Sequence, residues 1–286
     1  MRIFRGAVVV VLAQGLVGCG GGSPSAPSVP TQVQQPVVQP TVSQLTGLVM
    51  DTANRSVAGA GVEVLSGPQA GTSTTSDSAG KFSLTGIFDG TTRFRVSKEG
   101  YAAATQAINV APAYGVSILF VMEALAAPVN IAGDYTLTFI ADSACADQLP
   151  SEMRTRTYPA TIVPQHPLNR PGNTRFAAML SGPSFDSYYH MMSIAVAGDY
   201  LSFDLSDNYL LEEVADEAYF AIGGVGGGSA GTSGASTISA SFQGTFDYCV
   251  MKSELEDGSH YNCTPDVAVV HAQCAAKNHR LILTRR

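Results

Sequence analysis

The sequence contains no tryptophan, and charged residues make up only 14% of its 286 positions. So little charge argues against a helical bundle, whose solvated faces need abundant Glu and Lys. Cations are scarcest: 16 Lys and Arg stand against 23 Asp and Glu, a formal charge of −7. Such a chain does not suit nucleic acid or an anionic membrane face, because both are gripped by clustered basic residues. No apolar run is long enough to cross a bilayer as a helix, which takes about 20 residues. Glycine is plentiful at 29 residues, and Ser and Thr are abundant. That profile suits secreted all-β domains with many turns. The length allows about two domains.

Arg2 and Arg5 flank the start of an apolar run from Gly6 to Ala13, the size of a signal-peptide core. Leu16-Val17-Gly18-Cys19 comes next. This stretch resembles a bacterial lipobox. The resemblance implies a signal peptide over 1–18, cleavage before Cys19, and acylation of its thiol and of the new amino terminus. At about 0.8 kcal/mol per buried CH₂, several chains together make a stable anchor. Gly20, where an Asp would favour inner-membrane retention, points to an outer-membrane lipoprotein, periplasmic or surface-facing, joined to the membrane by its lipid. Loss of the signal removes two Arg and no acid, so −7 becomes −9. Residues 19–43 carry five Pro and no charge, a linker of polyproline character.

From 44 to 125, short alternating stretches are separated by turn signals every 8–12 residues, the pattern of a β-sandwich. In Asp77-Ser78-Ala79-Gly80 the Asp can close an Asx-turn and the Gly can take φ > 0. Five spaced motifs stand here: Gly47-Leu48-Val49-Met50-Asp51, Ala58 to Val62, Thr75 to Phe82, Leu84 to Ile87, and Ser97-Lys98-Glu99-Gly100-Tyr101. Together they resemble the carboxypeptidase regulatory-like domain, an Ig/transthyretin-like sandwich of seven strands. The resemblance implies a module without peptidase chemistry. Gly80 and Gly100 then read as turn residues, Phe82 as core and Tyr101 as a tyrosine corner.

Ala126-Ala127-Pro128 marks a boundary, and 129–286 read as seven to nine antiparallel strands, a meander closed as a β-barrel. Its opening Gly133-Asp134-Tyr135 resembles the G-x-W start of lipocalin-like barrels, with Tyr for Trp. Gly227-Gly228-Ser229-Ala230-Gly231 spells G-x-S-x-G, and Gly226, Gly228 and Gly231 spell G-x-G-x-x-G. A β-like stretch follows both, not the helix either motif requires, so 224–234 reads as a flexible loop. Glu212, Glu213, Asp216 and Glu217 read as a solvated turn. Met191 and Met192 beside His190 read as strand packing, not a copper site. Arg154, Arg156, Arg285 and Arg286 read as surface charge.

The chemistry-rich stretch is 259–279, where His260 and Cys263, then His271 and Cys274, repeat H-x-x-C before His279. Two thiolates and two imidazoles suit tetrahedral zinc; the same cysteines suit two disulfides. Export favours disulfides. With Cys19 lipidated, Cys145, Cys249, Cys263 and Cys274 remain. If the first and last barrel strands are antiparallel neighbours with Ile140 opposite His279, paired numbers sum to 419, as do 145 and 274. The expected bridges are Cys145–Cys274 and Cys249–Cys263, with no metal and no cofactor. The functional expectation is a non-catalytic binding or structural lipoprotein whose partner is a cell-envelope protein or glycan. The alternatives are a carrier of a small apolar ligand inside the barrel and a hydrolase built on the C-terminal histidines.

Non-reducing peptide mapping of the exported protein should recover both bridges. Closing the 249–263 loop should add about 3 kcal/mol of stability in the chain-entropy model. Four free thiols with stoichiometric zinc would overturn the pairing.

Overall fold

The computed structural model describes residues 42–107, 117–165, 174–182, 185, 190–205, 210–251 and 268–286. Cys19, His260 and Cys263 lie outside this set. The described chain is all-β, a sandwich followed by a closed barrel.

The sandwich has seven strands: β1 (Val42–Asp51), β2 (Gly61–Ser66), β3 (Ser73–Thr75), β4 (Lys81–Phe88), β5 (Arg93–Ser97), β6 (Ala104–Ala107) and β7 (Ser117–Met122). One sheet runs β4-β1-β7 and the other β3-β2-β5-β6. The pairing of β1 with β7 is parallel; the others are antiparallel. Alternation decides which side of each strand is buried. Leu45 and Val49 from β1 meet Val62 and Val64 from β2, Phe82 from β4, Phe94 from β5 and Phe120 from β7 in one apolar core.

The turn before β4 is held as its sequence suggests. Asp77 Oδ1 accepts hydrogen bonds from the Ala79 N–H at 2.9 Å and the Lys81 N–H at 2.8 Å. Gly80 sits at φ +74°, and a Cβ there would come within 2.3 Å of the Val49 carbonyl oxygen. Glycine is therefore required twice over, for its backbone conformation and for the close approach to β1.

The barrel uses β8 (Gly133–Ile140), β9 (Thr155–Gln165), β10 (Thr174–Leu180), β11 (Met191–Ala197), β12 (Tyr200–Asp204), β13 (Leu210–Ala215), β14 (Ala218–Ser229), β15 (Thr237–Met251) and β16 (Ala268–Arg285). Between β8 and β9 the chain makes two 3-10 turns, Ser143–Cys145 and Ser151–Met153. The sheet order is β12-β11-β10-β9-β8-β16-β15-β14-β13, and a further pairing of β12 with β14 closes eight of the nine strands into a ring. First and last strands are neighbours: Arg280 lies opposite Ile140 and Leu283 opposite Leu137.

Closure depends on β14, whose first half pairs with β13 (Leu210 opposite Ile222) and whose second half pairs with β12 (Ser202 opposite Gly227). The Gly-rich stretch is where it changes partner. A Cβ at Gly224, Gly226 or Gly228 would come within 2.4 Å of a β15 carbonyl oxygen, so only glycine admits this approach. The loop expected over 224–234 is thus strand as far as Ser229, with a turn after it. Glycine here permits tight strand contact.

The inside of the barrel is filled. Tyr135, Leu137, Phe139, Phe176, Phe203, Phe220, Phe242 and Phe246 all belong to one buried cluster. Outward positions such as Thr157, Thr161, Ser239, Ser241 and Arg280 are exposed and polar. Apolar-in and polar-out is the reverse of a lipid-spanning barrel, whose outer band is apolar.

Sandwich and barrel share a small-residue joint. Ala53 of the β1–β2 turn packs with Ala195 and Ala197 of β11, backed by Ala124 and Tyr200. The Val129 N–H donates to the Gly198 carbonyl at 2.8 Å.

Gly80→Val should destabilise the sandwich by about 1–3 kcal/mol, since a β-branched residue resists positive φ and would meet the Val49 carbonyl. Thermal unfolding should show a correspondingly lower midpoint, and an unchanged midpoint would refute this account of the turn.

Candidate functional site

Among the described residues, His190, His271 and His279 do not converge. His279 is fully buried, its ring 5.0 Å from that of Phe242 and 4.8 Å from that of Phe246. Its Nδ1 accepts from the Asp142 N–H at 3.0 Å. Nε2 therefore carries the proton and donates to the Gly244 carbonyl 3.1 Å away. Burial lowers the His279 pKa below its ordinary 6.5, against weaker raising effects from the Gly244 hydrogen bond and the Asp142 charge. His271 points outward, its Nε2 3.1 Å from Asp247 Oδ1, while Gln273 donates to the other Asp247 oxygen at 3.1 Å.

A bulge separates these two histidines. Phe242 lies opposite His279 and Gly244 opposite Ala276, so β16 carries one extra residue there. An odd insertion reverses the alternation. Cys274 before the bulge and His279 after it both face in, while His271 and Lys277 are exposed. His190 lies apart, next to β11, and its carbonyl accepts from the Leu180 N–H. Among the described residues no group of three or more His, Cys, Asp or Glu could hold a metal.

Cys145 and Cys274 form a disulfide, their Cα atoms 5.6 Å apart. The pairing is the expected one, but the register behind it is not. Ile140 lies opposite Arg280, not His279, so ladder positions sum to 420. Cys145 sits beyond the ladder, in the 3-10 turn that Asp142 caps by accepting from the Ala144 N–H at 2.9 Å. The bridge pins that turn onto β16; it is not a rung between strands. Cys249 is also disulfide-bonded, and Cys263, its expected partner, lies outside the described residues.

Of the charges read as surface, Glu212 is buried and Arg154, Arg156 and Arg285 are half-buried. Glu212 is 2% exposed and accepts from both Arg156 nitrogens it meets and from the Tyr158 hydroxyl at 2.7 Å. β13 and β9 are not ladder neighbours, so this pair ties two walls across the barrel. Burial, then the Glu212 charge, raises the Tyr158 pKa and keeps its hydroxyl a donor. Arg285 stacks on the Tyr135 ring at 4.8 Å and donates to its hydroxyl at 2.6 Å and to the Ala132 carbonyl at 3.2 Å. A Cβ on Gly133 would meet that guanidinium at 2.5 Å, which gives Gly133-Asp134-Tyr135 a packing role. Arg154 donates to the Leu149 and Ala146 carbonyls. Alternation rules alone could not place a Glu on β13 opposite an Arg on β9; the signal was only that both are odd charges inside strand patterns.

One cavity stands out on the outer face of the barrel, with a volume of about 680 Å³. The register explains its floor. Gln165, Arg175, Ala195, Ser202, Gly227 and Ser241 lie side by side on six consecutive strands. The last four, Ala195 to Ser241, are small, so the floor is low there. The next outward row, Ser193, Asp204, Val225 and Gln243, lines one flank, and Lys277 from the bulge reaches the same end. Tyr200 lines the other flank: its hydroxyl lies above Gly227, where a Cβ would come within 2.3 Å of it. Asn54 of the sandwich also lines the cavity. Sequence reasoning missed this groove because its residues come from six separate strands.

The fold of the sandwich also accounts for its motifs. Residues 44–123 match the carboxypeptidase regulatory-like domain. No curated protein matches the chain. Among solved structures, a protein of unknown function from Bacteroides fragilis, described as membrane-associated, aligns over 85% of this chain and 97% of its own at 9% identity and a TM-score of 0.21. A likeness that slight carries no argument.

Within the regulatory-like domain, Phe82 is buried in the core and Gly100 turns at φ +83°. Tyr101 does not form the expected corner to backbone. Its hydroxyl accepts from Arg55 at 3.0 Å, and Arg55 Nε donates at 2.9 Å to Asp51, which is fully buried. The Asp51 carboxylate also accepts from the Ala53 and Arg55 N–H groups at 2.9 and 3.0 Å. The Arg55 guanidinium lies 4.6 Å from the Tyr200 ring of the barrel. The domain thus steadies the residue that walls the groove.

His279 gives a pH prediction. A folded-state pKa below 6.5 means the unfolded chain binds the proton more readily, so this contribution is complete above 6.5 and lost as pH falls through and below it. Between pH 7 and 5 the wild-type melting midpoint should fall more steeply than that of His279→Phe. Parallel slopes would show that the ring protonates freely in the fold.

Proposed function

We propose that this chain is a non-catalytic lipoprotein, anchored by acylated Cys19 to the outer membrane, that serves as a binding or structural module of the cell envelope. The observation that carries the reading is the filled barrel. Its inner side chains pack on one another, leaving binding to the exterior. A carrier of an apolar molecule would need an unfilled interior, so that alternative loses support. The hydrolase alternative needs a nucleophile, a base and an orienting group in one cleft. His279 is committed to two backbone partners inside the barrel, and His271 faces outward with Asp247. Ser229 ends a strand, with its Oγ accepting from the Gly231 N–H at 3.2 Å, and a turn follows it. The regulatory-like sandwich fits the same role, as a non-catalytic spacer and support. The low cation count speaks against a nucleic-acid partner.

Detergent phase separation tests the anchor: wild type should enter the detergent phase and Cys19→Ala should stay aqueous. If both stay aqueous the anchor is wrong. A broad esterase, peptidase and glycosidase screen should give no turnover above buffer. Turnover abolished by Ser229→Ala or His271→Ala would replace the binding reading with an enzymatic one.

A further inference from the structure

We propose that the outer groove of the barrel binds a neutral, hydroxyl-rich oligosaccharide segment. This rests on the binding-module reading above and assigns its ligand class and site. The groove crosses β10, β11, β12, β14 and β15, four strand spacings or about 19 Å, which suits an extended chain better than a compact metabolite. At about 680 Å³ it falls within the range of ligand pockets.

Its chemistry narrows the occupant. The small side chains of Ser202 and Ser241, beside the Tyr200 hydroxyl that covers Gly227, let a ring lie close to the sheet. Planar polar groups stand around it: the Arg175 guanidinium and Gln165 amide at one end and the Gln243 amide at the other. These offer donors and acceptors at fixed angles, which is what adjacent hydroxyls, each both donor and acceptor, can satisfy together. An apolar ligand would strand these groups without partners. A polyanion would gain from Arg175 and Lys277 but meet Asp204 and a chain of net charge −7. An extended peptide recognised by strand addition needs an open sheet edge. The groove floor is a sheet face whose strands are already paired on both sides.

Placement adds a second argument. The groove lies against the joint, with Asn54 from the sandwich at its margin and Tyr200 fixed between Gly227 and Arg55. The ion pair of Arg55 with buried Asp51 holds that wall in place before any ligand arrives, so less freedom is lost on binding.

Isothermal titration of the mature protein against three neutral tetrasaccharides tests this: an N-acetylglucosamine tetramer, cellotetraose and maltotetraose. A sulfated tetrasaccharide and an uncharged decapeptide serve as comparisons. At least one neutral sugar should bind in the micromolar to millimolar range, and which one distinguishes an N-acetylated wall-type glycan from a plain glucan. Ser241→Tyr, which fills the floor from an exposed position, should weaken binding by about tenfold or more at an unchanged melting midpoint. Arg175→Ala should also weaken it, which covers the case in which Ser241→Tyr fails to fold. The proposal is overturned if no neutral sugar binds, if binding ignores Ser241→Tyr and Arg175→Ala, or if only the sulfated sugar or the peptide binds. A sugar that binds and is cleaved would keep the site but end the non-catalytic reading. Absent binding in a protein that still partitions with detergent and turns nothing over would end this inference alone.

Discussion

Barrel closure is the constraint on which the rest of this structure depends. A long antiparallel sheet has two edges of unpaired N–H and C=O groups, and each invites another chain. Here one edge is removed by joining the first strand of the barrel to the last, so that Arg280 meets Ile140 and Leu283 meets Leu137. β14 then gives half its length to β13 and half to β12, which closes the ring and leaves only β13 at an edge. The second join needs close backbone contact, and the glycines of β14 supply it: a Cβ at Gly227 would strike the Leu201 carbonyl of β12, and one at Gly224, Gly226 or Gly228 would strike β15.

Closure then decides where a ligand can go. Eight strands enclose a space that side chains fill, and here aromatic rings fill it. Glu212, Arg156 and Tyr158 add a buried polar tie across the walls. A buried ion pair of this kind is not strong evidence of stability, because desolvation offsets much of its attraction. Its clearer effect is on geometry: a carboxylate with three donors in fixed places leaves β13 little choice of position. With the interior occupied, the outer face carries a groove of about 680 Å³.

The sandwich contributes by contact. Buried Asp51 at the end of β1 pairs with the half-buried Arg55 of the following turn, and Arg55 extends that rigidity onto Tyr200. Small residues on both sides, Ala53 against Ala195 and Ala197, allow the approach. One domain can in this way shape a groove built on its neighbour.

The sequence by itself determined the local features. Period-2 alternation located the strands, and Asp77 with Gly80 specified a turn that needs positive φ. Turn signals every 8–12 residues indicated a sandwich, and the resemblance carried by the spaced motifs from Gly47 to Tyr101 implied its seven strands. These depend on neighbours a few residues away, so the chain order carries them. The tertiary structure alone decided what depends on register. One extra residue in β16 sends His271 out and His279 in, which separates histidines that look clustered along the chain. Cys145 pairs with Cys274 through a capped turn and not through the ladder assumed for it. Glu212 looks like a turn acid until β9 brings Arg156 and Tyr158 to it from across the barrel. The groove is set the same way, because a floor drawn from six strands exists only once each strand has found its partner and its phase.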